Sequence, residues 1–441
     1  MPIGDEERKR EAGSGDFELG WGFMMAPSRS FSPLRRASEE AGTTQPLSKD
    51  DSVAGPIRVG YVLTALCEGG LERFTLELAR RLPRDGFQPC VFCLTSLAPW
   101  ADRFREAGVP IIAYQARNRP GIGSVWPNLR ALLALSKDFR RHRIQIVHTC
   151  DFYPAVMGRI AALLAGVPGR VHTLHSLYDW YPGWAHQVNR LLATRTQQVT
   201  AVSSPVLESS LRLDKLPSEK YRLVHNGVDA EEFKPREESR RELREMLGLP
   251  DSARIVVTVG AYTERKGHRT VAEAILPLVE QDPNLHLVLF GTVPDPRTDI
   301  RPELREMFSV AGHPNRLHMP GPLEDVRTAY CGCDIFCMAS QVEGLSLACI
   351  EAQMCSCLCL LSDIPSFREV VQEGVNGFLF PVGDADALRR ALAKASVLPK
   401  ERREAVQAQA RRLALERFPI ESTISSYADI YREVVGEIEK A

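Results

Sequence analysis

From Ile57 onward the chain alternates short apolar runs with amphipathic stretches. Residues 57–63 form the first run, 65–70 a loop, and 71–82 place Leu71, Phe74, Leu78 and Leu82 on one side of a helix. Apolar runs follow at 91–94, 111–113, 144–148, 171–174 and 199–202, with helical spacing between them. Strands that alternate with helices predict βαβ units and a parallel sheet. After a charged segment containing Pro235 a second series begins. It has a β-branched strand at 255–260, a helix from about His268, and strands at 287–291, 317–320, 335–338 and 358–362. The last stretch, 413–439, reads as one helix.

The first 55 residues break this pattern. They are rich in Gly, Ser, Glu and Arg, carry Pro27, Pro33 and Pro46, and show no sustained period. Such composition cannot bury enough apolar surface to order itself, so residues 1–55 are expected to be a disordered tail. The full length of 441 residues leaves room for two or three domains with large cores. A net charge of -1 argues against a general nucleic-acid footprint, and no nucleic-acid partner is expected. No apolar run approaches the ~18 residues that span a bilayer, and no secretory signal is recognisable. A cytoplasmic protein is the expectation. Seven of the eleven cysteines fall between Cys331 and Cys359. Their spacing is C-x-C, not the C-x2-C pairing of structural zinc, so they read as small buried hydrophobes and no metal is expected.

Candidate chemistry concentrates where strands end. Glu343-Gly-Leu-Ser-Leu-Ala-Cys-Ile-Glu351 puts one carboxylate before a Gly-containing turn and another inside a helix, between two strands. Open α/β sheets bind ligands at such carboxyl ends, with a helix N-terminus aimed at an anion. The backbone amides of Leu345, Ser346 and Leu347 would then face a phosphate while the glutamates take hydroxyl groups. Alone, the two glutamates serve equally as a loop carboxylate and a solvated helix residue. Lys266 stands at another strand–loop–helix junction, placed to meet a diphosphate. Gly69 and Gly70 in the first βα loop let a ligand approach the backbone. His175 ends a strand and points into the crevice, while His172 points into the fold. Asn226-Gly227 is a turn signal, read as a plain turn without ligand contact. Tyr178, Trp180, Tyr181 and Trp184 make an aromatic loop, either a sugar-stacking surface or a core anchor.

The segments GGLE, VHTLHS, NGVD, VGAYTERKG, EGLSLACIEAQ and GVNGFLF follow one another in an order that resembles glycosyltransferase family 4, the "glycosyl transferases group 1" proteins. The chain resembles that family over about 57–435. The resemblance implies a GT-B fold: a Rossmann-like acceptor domain (56–229), a Rossmann-like nucleotide-sugar domain (230–415), and a C-terminal helix (416–441) packing back on the first domain. It implies transfer of a sugar from a nucleotide diphosphate sugar to an acceptor hydroxyl with retention of configuration, without a cofactor. The roles carried over put His175 and Glu343 at the transferred sugar, Lys266 at the diphosphate and Glu351 on the ribose. Gly70 and the amides of Leu345, Ser346 and Leu347 line the donor site. The family element is VGRL-x3-KG, which pairs the Lys with an Arg directly after the strand-end Gly; here that position is Ala261, and Arg265 in the adjacent turn is the candidate substitute. That departure keeps open a GT-B pseudoenzyme acting as a binding partner, and a GT-B sugar-nucleotide enzyme of other chemistry. The acceptor is expected to be a glycan or a lipid-linked molecule. Basic residues Arg130, Lys137, Arg140, Arg141 and Arg143, interleaved with Leu132, Leu133, Leu135 and Phe139, suggest weak peripheral contact with the inner face of the membrane. A crossover helix packed on the sheet is the simpler reading of that segment.

Overall fold

The computed structural model describes residues 55–440 except 68, 96, 98, 99, 119, 120 and 180. Except for Gly55, the tail expected over 1–55 lies outside these residues, as does Trp180.

Two parallel sheets face each other. The first holds β1 (Ile57–Leu63), β2 (Phe87–Cys93), β3 (Ile111–Ala113), β4 (Ile146–Cys150), β5 (Gly169–Leu174), β6 (Gln198–Ala201) and β7 (Tyr221–Leu223), in the order β3-β2-β1-β4-β5-β6-β7. The second holds β8 (Arg254–Val259), β9 (Leu285–Phe290), β10 (Leu317–Gly321), β11 (Ile335–Met338), β12 (Cys359–Ser362) and β13 (Phe378–Phe380), in the order β10-β9-β8-β11-β12-β13. Strand order reverses at β1/β4 and at β8/β11, so each sheet has a crevice there between loops running to opposite sides. Along β1, Val59, Tyr61 and Leu63 enter one core layer and Val62 the other, so both faces of the sheet are covered by helices. This is the GT-B architecture, two Rossmann-like domains across a cleft.

The chain ends by returning to the first sheet. The sequence predicts one helix over 413–439; the structure breaks it into Lys400–Arg417 and Ile420–Lys440. Pro419 has no N–H to continue the ladder. The break lies against the interdomain crossing: Val228 N–H donates to Phe418 O at 2.9 Å, and Ile420 N–H to Val228 O at 3.2 Å. A Cβ on Gly227 would fall 2.6 Å from Pro419 O, which explains glycine there. The helix Ile420–Lys440 then buries Ile424, Tyr427, Tyr431 and Val434 against the first domain's core. Each such side chain adds about 1.5–3 kcal/mol of transfer free energy. Tyr431 Oη meets buried His148 Nδ1 at 2.7 Å, and Tyr427 Oη meets Thr173 Oγ1 at 2.8 Å.

The helix Ile122–Arg141 buries Leu135 and Phe139 against the sheet, as a crossover helix does. Its outer face carries a second apolar row, Ile122, Val125, Trp126, Leu129 and Leu133, with Ile122 92% and Trp126 66% exposed. Among the described residues no helix is long and apolar enough to cross a membrane.

Candidate functional site

A cleft of about 510 Å³ opens at the carboxyl edges of both sheets. Gly70, His175, Arg265, Lys266, Glu343, Leu345, Ser346, Leu347 and Glu351 all line it.

The second domain contributes a rigid loop between β11 and the helix Leu347–Met354. Ser346 caps that helix, its Oγ accepting from Cys349 N–H at 3.4 Å. The amides of Leu345, Ser346 and Leu347 precede or open the first turn, where N–H groups lack intrahelical acceptors. Ser366 Oγ donates to Glu343 O at 2.6 Å, and Ser203 Oγ of the first domain to Gly344 O at 2.7 Å. Gly344 packs where the domains touch: an added Cβ would lie 1.9 Å from His175 O. Across the domains, Glu369 accepts from Ser204 N–H at 3.0 Å and meets His225 Nε2 at 2.7 Å.

Lys266 ends a 3-10 turn, Glu264–Lys266, and the chain then needs left-handed backbone at Gly267 (φ 67°) to enter the helix His268–Val279. A Cβ on Gly267 would stand 2.1 Å from Ala339 O, so the turn is packed on the Glu343 loop. Lys266 Nζ donates to Glu343 Oε1 at 2.6 Å. Burial alone would push the Glu343 carboxyl up; the charges of Lys266 and Arg265 outweigh it and hold the carboxyl below its ordinary value. Arg265 reaches the same region from the turn beside Ala261. Its Nε is buried without a hydrogen-bond partner.

Glu351 is not the solvated helix residue that spacing alone allows. It is buried and accepts from Tyr330 Oη at 2.9 Å, with Arg73 Nη1 at 3.3 Å. Arg73 also pairs with Glu232 at 2.8 Å and lies 4.7 Å from the centre of the Phe233 ring. One guanidinium from the first domain thus meets a carboxylate of the second and one of the interdomain segment.

The first domain supplies polar groups of another kind. His175 Nε2 and Asn226 Oδ1 are buried without partners, and His175 Nδ1 lies 3.5 Å from Asn226 Nδ2. The edge of Phe74 contacts the imidazole, ring centres 4.9 Å apart. Burial lowers the His175 pKa to about 3, so the ring is neutral near pH 7. Asn226 therefore does more than make a turn: its side chain enters the cleft. His172 points into the fold, Nδ1 2.9 Å from Thr149 O. Asp151, in left-handed backbone (φ 64°) after β4, faces the cleft. The surrounding protein raises its carboxyl above the ordinary value, against the Phe152 N–H and Tyr181 hydroxyl that donate to it. Burial likewise pushes Glu72 up to about 7. Tyr178 and Tyr181 stack at 4.8 Å and are buried, so this part of the aromatic loop anchors on the core.

Sequence reasoning missed Arg73, Asp151, Tyr330 and the cleft-facing side of Asn226. Two signals were available. Arg73 directly follows the Gly-Gly-Leu-Glu turn, and Asp151 ends a strand just as His175 does.

Two family models match the chain: "Glycosyl transferases group 1" over residues 239–412 and "Glycosyltransferase Family 4" over residues 68–232. The chain belongs to glycosyltransferase family 4. Among its relatives, this family 4 glycosyltransferase is 25% identical over 403 residues to the Escherichia coli UDP-Gal:alpha-D-GlcNAc-diphosphoundecaprenol alpha-1,3-galactosyltransferase, covering 87% of this chain and 99% of that enzyme. It is 28% identical over 341 residues to the alpha-maltose-1-phosphate synthase of Mycolicibacterium smegmatis, covering 70% and 86%. Its fold is similar to that of Anabaena Alr3699/HepE, solved with UDP and glucose, with a TM-score of 0.76, 20% identity, and 85% and 99% of the two chains covered.

Proposed function

We propose that this glycosyltransferase moves a hexose-type sugar from a nucleotide diphosphate sugar to an acceptor hydroxyl with retention of configuration, in polysaccharide or glycolipid synthesis. The observation that carries the reading is the Lys266–Glu343 pair beside the helix start at Leu345–Leu347, with Glu351 farther along the same helix. The amides and Lys266 meet the diphosphate and neutralise its charge as it departs. Arg265, with its unpartnered Nε, adds the second cation where Ala261 offers none. Glu351, steadied by Tyr330 and Arg73, accepts from the ribose hydroxyls. His175 and Asn226 turn to the sugar from the opposite wall, and Glu343 lies at its hydroxyl edge. The departing phosphate oxygen takes the acceptor's proton, so the scheme needs neither a metal nor a cofactor.

The E. coli relative acts, by its name, on a lipid-linked diphosphate acceptor. For this chain the exposed row Ile122, Val125, Trp126, Leu129 and Leu133 supports a similar setting. The row spans one face of a helix that continues into exposed Arg130, Lys137, Arg140 and Arg141. Such a face suits the acyl–headgroup boundary of an anionic, cytoplasmic leaflet. The apolar contact lies in this row, not at Leu135 and Phe139, which the sheet covers.

A panel of UDP-, GDP-, ADP- and dTDP-sugars, followed by nucleotide release, tests the donor, and NMR of the product tests the anomer. Absence of release with every donor, with and without lipid diphosphate-sugar acceptors, overturns the transferase reading. Sedimentation with anionic liposomes tests the membrane contact: binding at low salt that Trp126→Ala and Leu129→Ala reduce is expected, and no binding at low salt overturns it.

A further inference from the structure

The loop that carries Glu343 is held from both domains. From its own domain, Ser366 Oγ on the helix Pro365–Val370 donates to Glu343 O at 2.6 Å. From the first domain, Ser203 Oγ donates to Gly344 O at 2.7 Å. One side chain joins these two grips. Glu369 follows Ser366 by one turn of the same helix and crosses to Ser204, the neighbour of Ser203. Its carboxylate accepts from Ser204 Oγ at 2.9 Å and from Ser204 N–H at 3.0 Å, and it meets His225 Nε2 at 2.7 Å.

The partners of Glu369 explain what the contact does. Ser204 opens the helix Ser204–Asp214, and Ser203 at the cap position makes no side-chain bond to that helix, because its hydroxyl is turned to Gly344. The start of this helix therefore receives its capping carboxylate from the other domain. Burial alone would push the Glu369 carboxyl up; the bonds from His225 and Ser204 outweigh it and hold the carboxyl below its ordinary value. The Glu369 side chain is 10% exposed, so these bonds are shielded from water. His225 is itself fixed: its backbone O accepts from Thr423 Oγ1 at 2.8 Å, and its ring meets the Phe418 ring at 5.3 Å. The residue after it is Asn226, which lines the cleft beside His175. Glu369 lies outside the cleft lining, yet its partners adjoin residues on both walls.

We propose that Glu369 is a positioning residue for sugar transfer: it fastens the first domain to the second so that Glu343 stands opposite His175 and Asn226. The step from fastening to transfer rests on the function proposed above. Without the carboxylate nothing ties the Ser203 grip to the Ser366 grip, and the Glu343–Gly344 loop keeps only its own domain's hold when the domains part. Lys266, Glu351 and the amides of Leu345, Ser346 and Leu347 all belong to the second domain, so the nucleotide keeps its contacts. The loss falls on turnover and spares nucleotide binding.

The test compares the full chain with Glu369→Ala and Glu369→Gln by steady-state kinetics, UDP calorimetry and small-angle X-ray scattering. Expected in Glu369→Ala is a fall in kcat of about 10- to 30-fold, with UDP affinity within about threefold of wild type and a larger radius of gyration with UDP bound. Glu369→Gln keeps an acceptor oxygen and should recover part of the turnover. Arg368→Ala, on the same helix but paired with Asp363 at the surface, is the control and should stay within about twofold. Where Glu369→Ala fails to fold, Ser204→Ala carries the same test with a fall of about two- to fivefold. A kcat at the level of the Arg368→Ala control, or an unchanged radius, overturns the proposal. A UDP affinity that falls as far as kcat also overturns it, since the effect then lies in the nucleotide site. Failure of the wild-type chain to release nucleotide from any donor overturns the transfer reading instead, and the scattering still decides whether Glu369 fastens the domains.

Discussion

The two walls of the cleft differ at the groups that face each other, although Arg265 Nε on the second-domain wall is also buried without a partner. On the second-domain wall, Lys266 and Glu343 spend their charges on each other at 2.6 Å. On the first-domain wall, His175 Nε2 and Asn226 Oδ1 are buried and make no hydrogen bond. An unpaired buried polar group costs about 1–3 kcal/mol, so the first wall carries a deficit that an incoming hydroxyl relieves. The second wall carries charge already ordered, which needs no reorganisation when a leaving group departs. On the function proposed above, the first wall recognises neutral hydroxyls and the second receives developing negative charge.

The hardest test of this contrast is Lys266→Ala. It removes the cation and leaves a buried Glu343 carboxylate unpaired, so turnover should drop about 10³-fold. Steady-state kinetics with the accepted donor checks it, and a loss under about tenfold means the charged wall is not preorganised for the diphosphate.

The next effect belongs to the neutral wall. His175→Ala should cut turnover about 10²-fold while leaving UDP affinity within about threefold if, as proposed, the group meets sugar and not nucleotide. With its pKa lowered to about 3, the wild-type ring should also show no NMR titration between about pH 5 and about pH 8. A shift with a midpoint near the ordinary 6.5 would place a charged imidazole on this wall and erase the contrast.

Glu351→Ala should weaken UDP binding about 10- to 100-fold, the loss of a charge-assisted hydrogen bond worth about 1.5–3 kcal/mol. Glu351→Gln keeps an acceptor for Tyr330 and should recover part of it. Equal calorimetric affinity in wild type and Glu351→Ala removes the ribose role.

The smallest effect tests whether neutrality extends beneath the first wall. Burial lowers the pKa of His148 to about 3 in the folded chain, from an ordinary 6.5. The unfolded chain therefore binds more protons between these values, and stability falls as pH drops from 6.5 toward 3. One such group contributes up to about 1.4 kcal/mol per pH unit. In His148→Gln, urea unfolding between about pH 4.5 and about pH 6 should show a shallower slope by up to that amount. An unchanged slope means His148 is charged in the fold.

Local pattern carried the architecture because each strand and crossover helix announces its own period. Strands 57–63, 111–113 and 335–338 were legible to the residue. The break at Phe418–Pro419 was not, because it depends on the chain crossing Val228 some 190 positions earlier, a contact no local window contains. The site divides in the same way. Gly70, His175, Lys266 and Glu343 sit at strand ends or in turns, where position marks them as candidates, whereas Glu351 lies inside the helix Leu347–Met354 and only the resemblance singled it out. Arg73 reads as an ordinary helix cation until Glu232 and Glu351 are brought to it from the linker and the other domain. The exposed row on helix Ile122–Arg141 was hidden by a helix apolar on two sides, of which the sheet takes one.

The returning helix has a consequence for biosynthesis. His148 waits for Tyr431, a partner 283 positions downstream. A ribosome that has just emitted the first sheet must still synthesise about 200 residues before the helix Ile420–Lys440 begins, roughly 10 to 40 s at usual elongation rates. Through that interval the groove that will receive Ile424, Tyr427 and Tyr431 is open to water and to other chains. The amino-terminal half is thus the first made and the last finished. A premature stop after the second domain's final strand would release a chain whose second sheet is complete and whose first domain lacks one wall of its core.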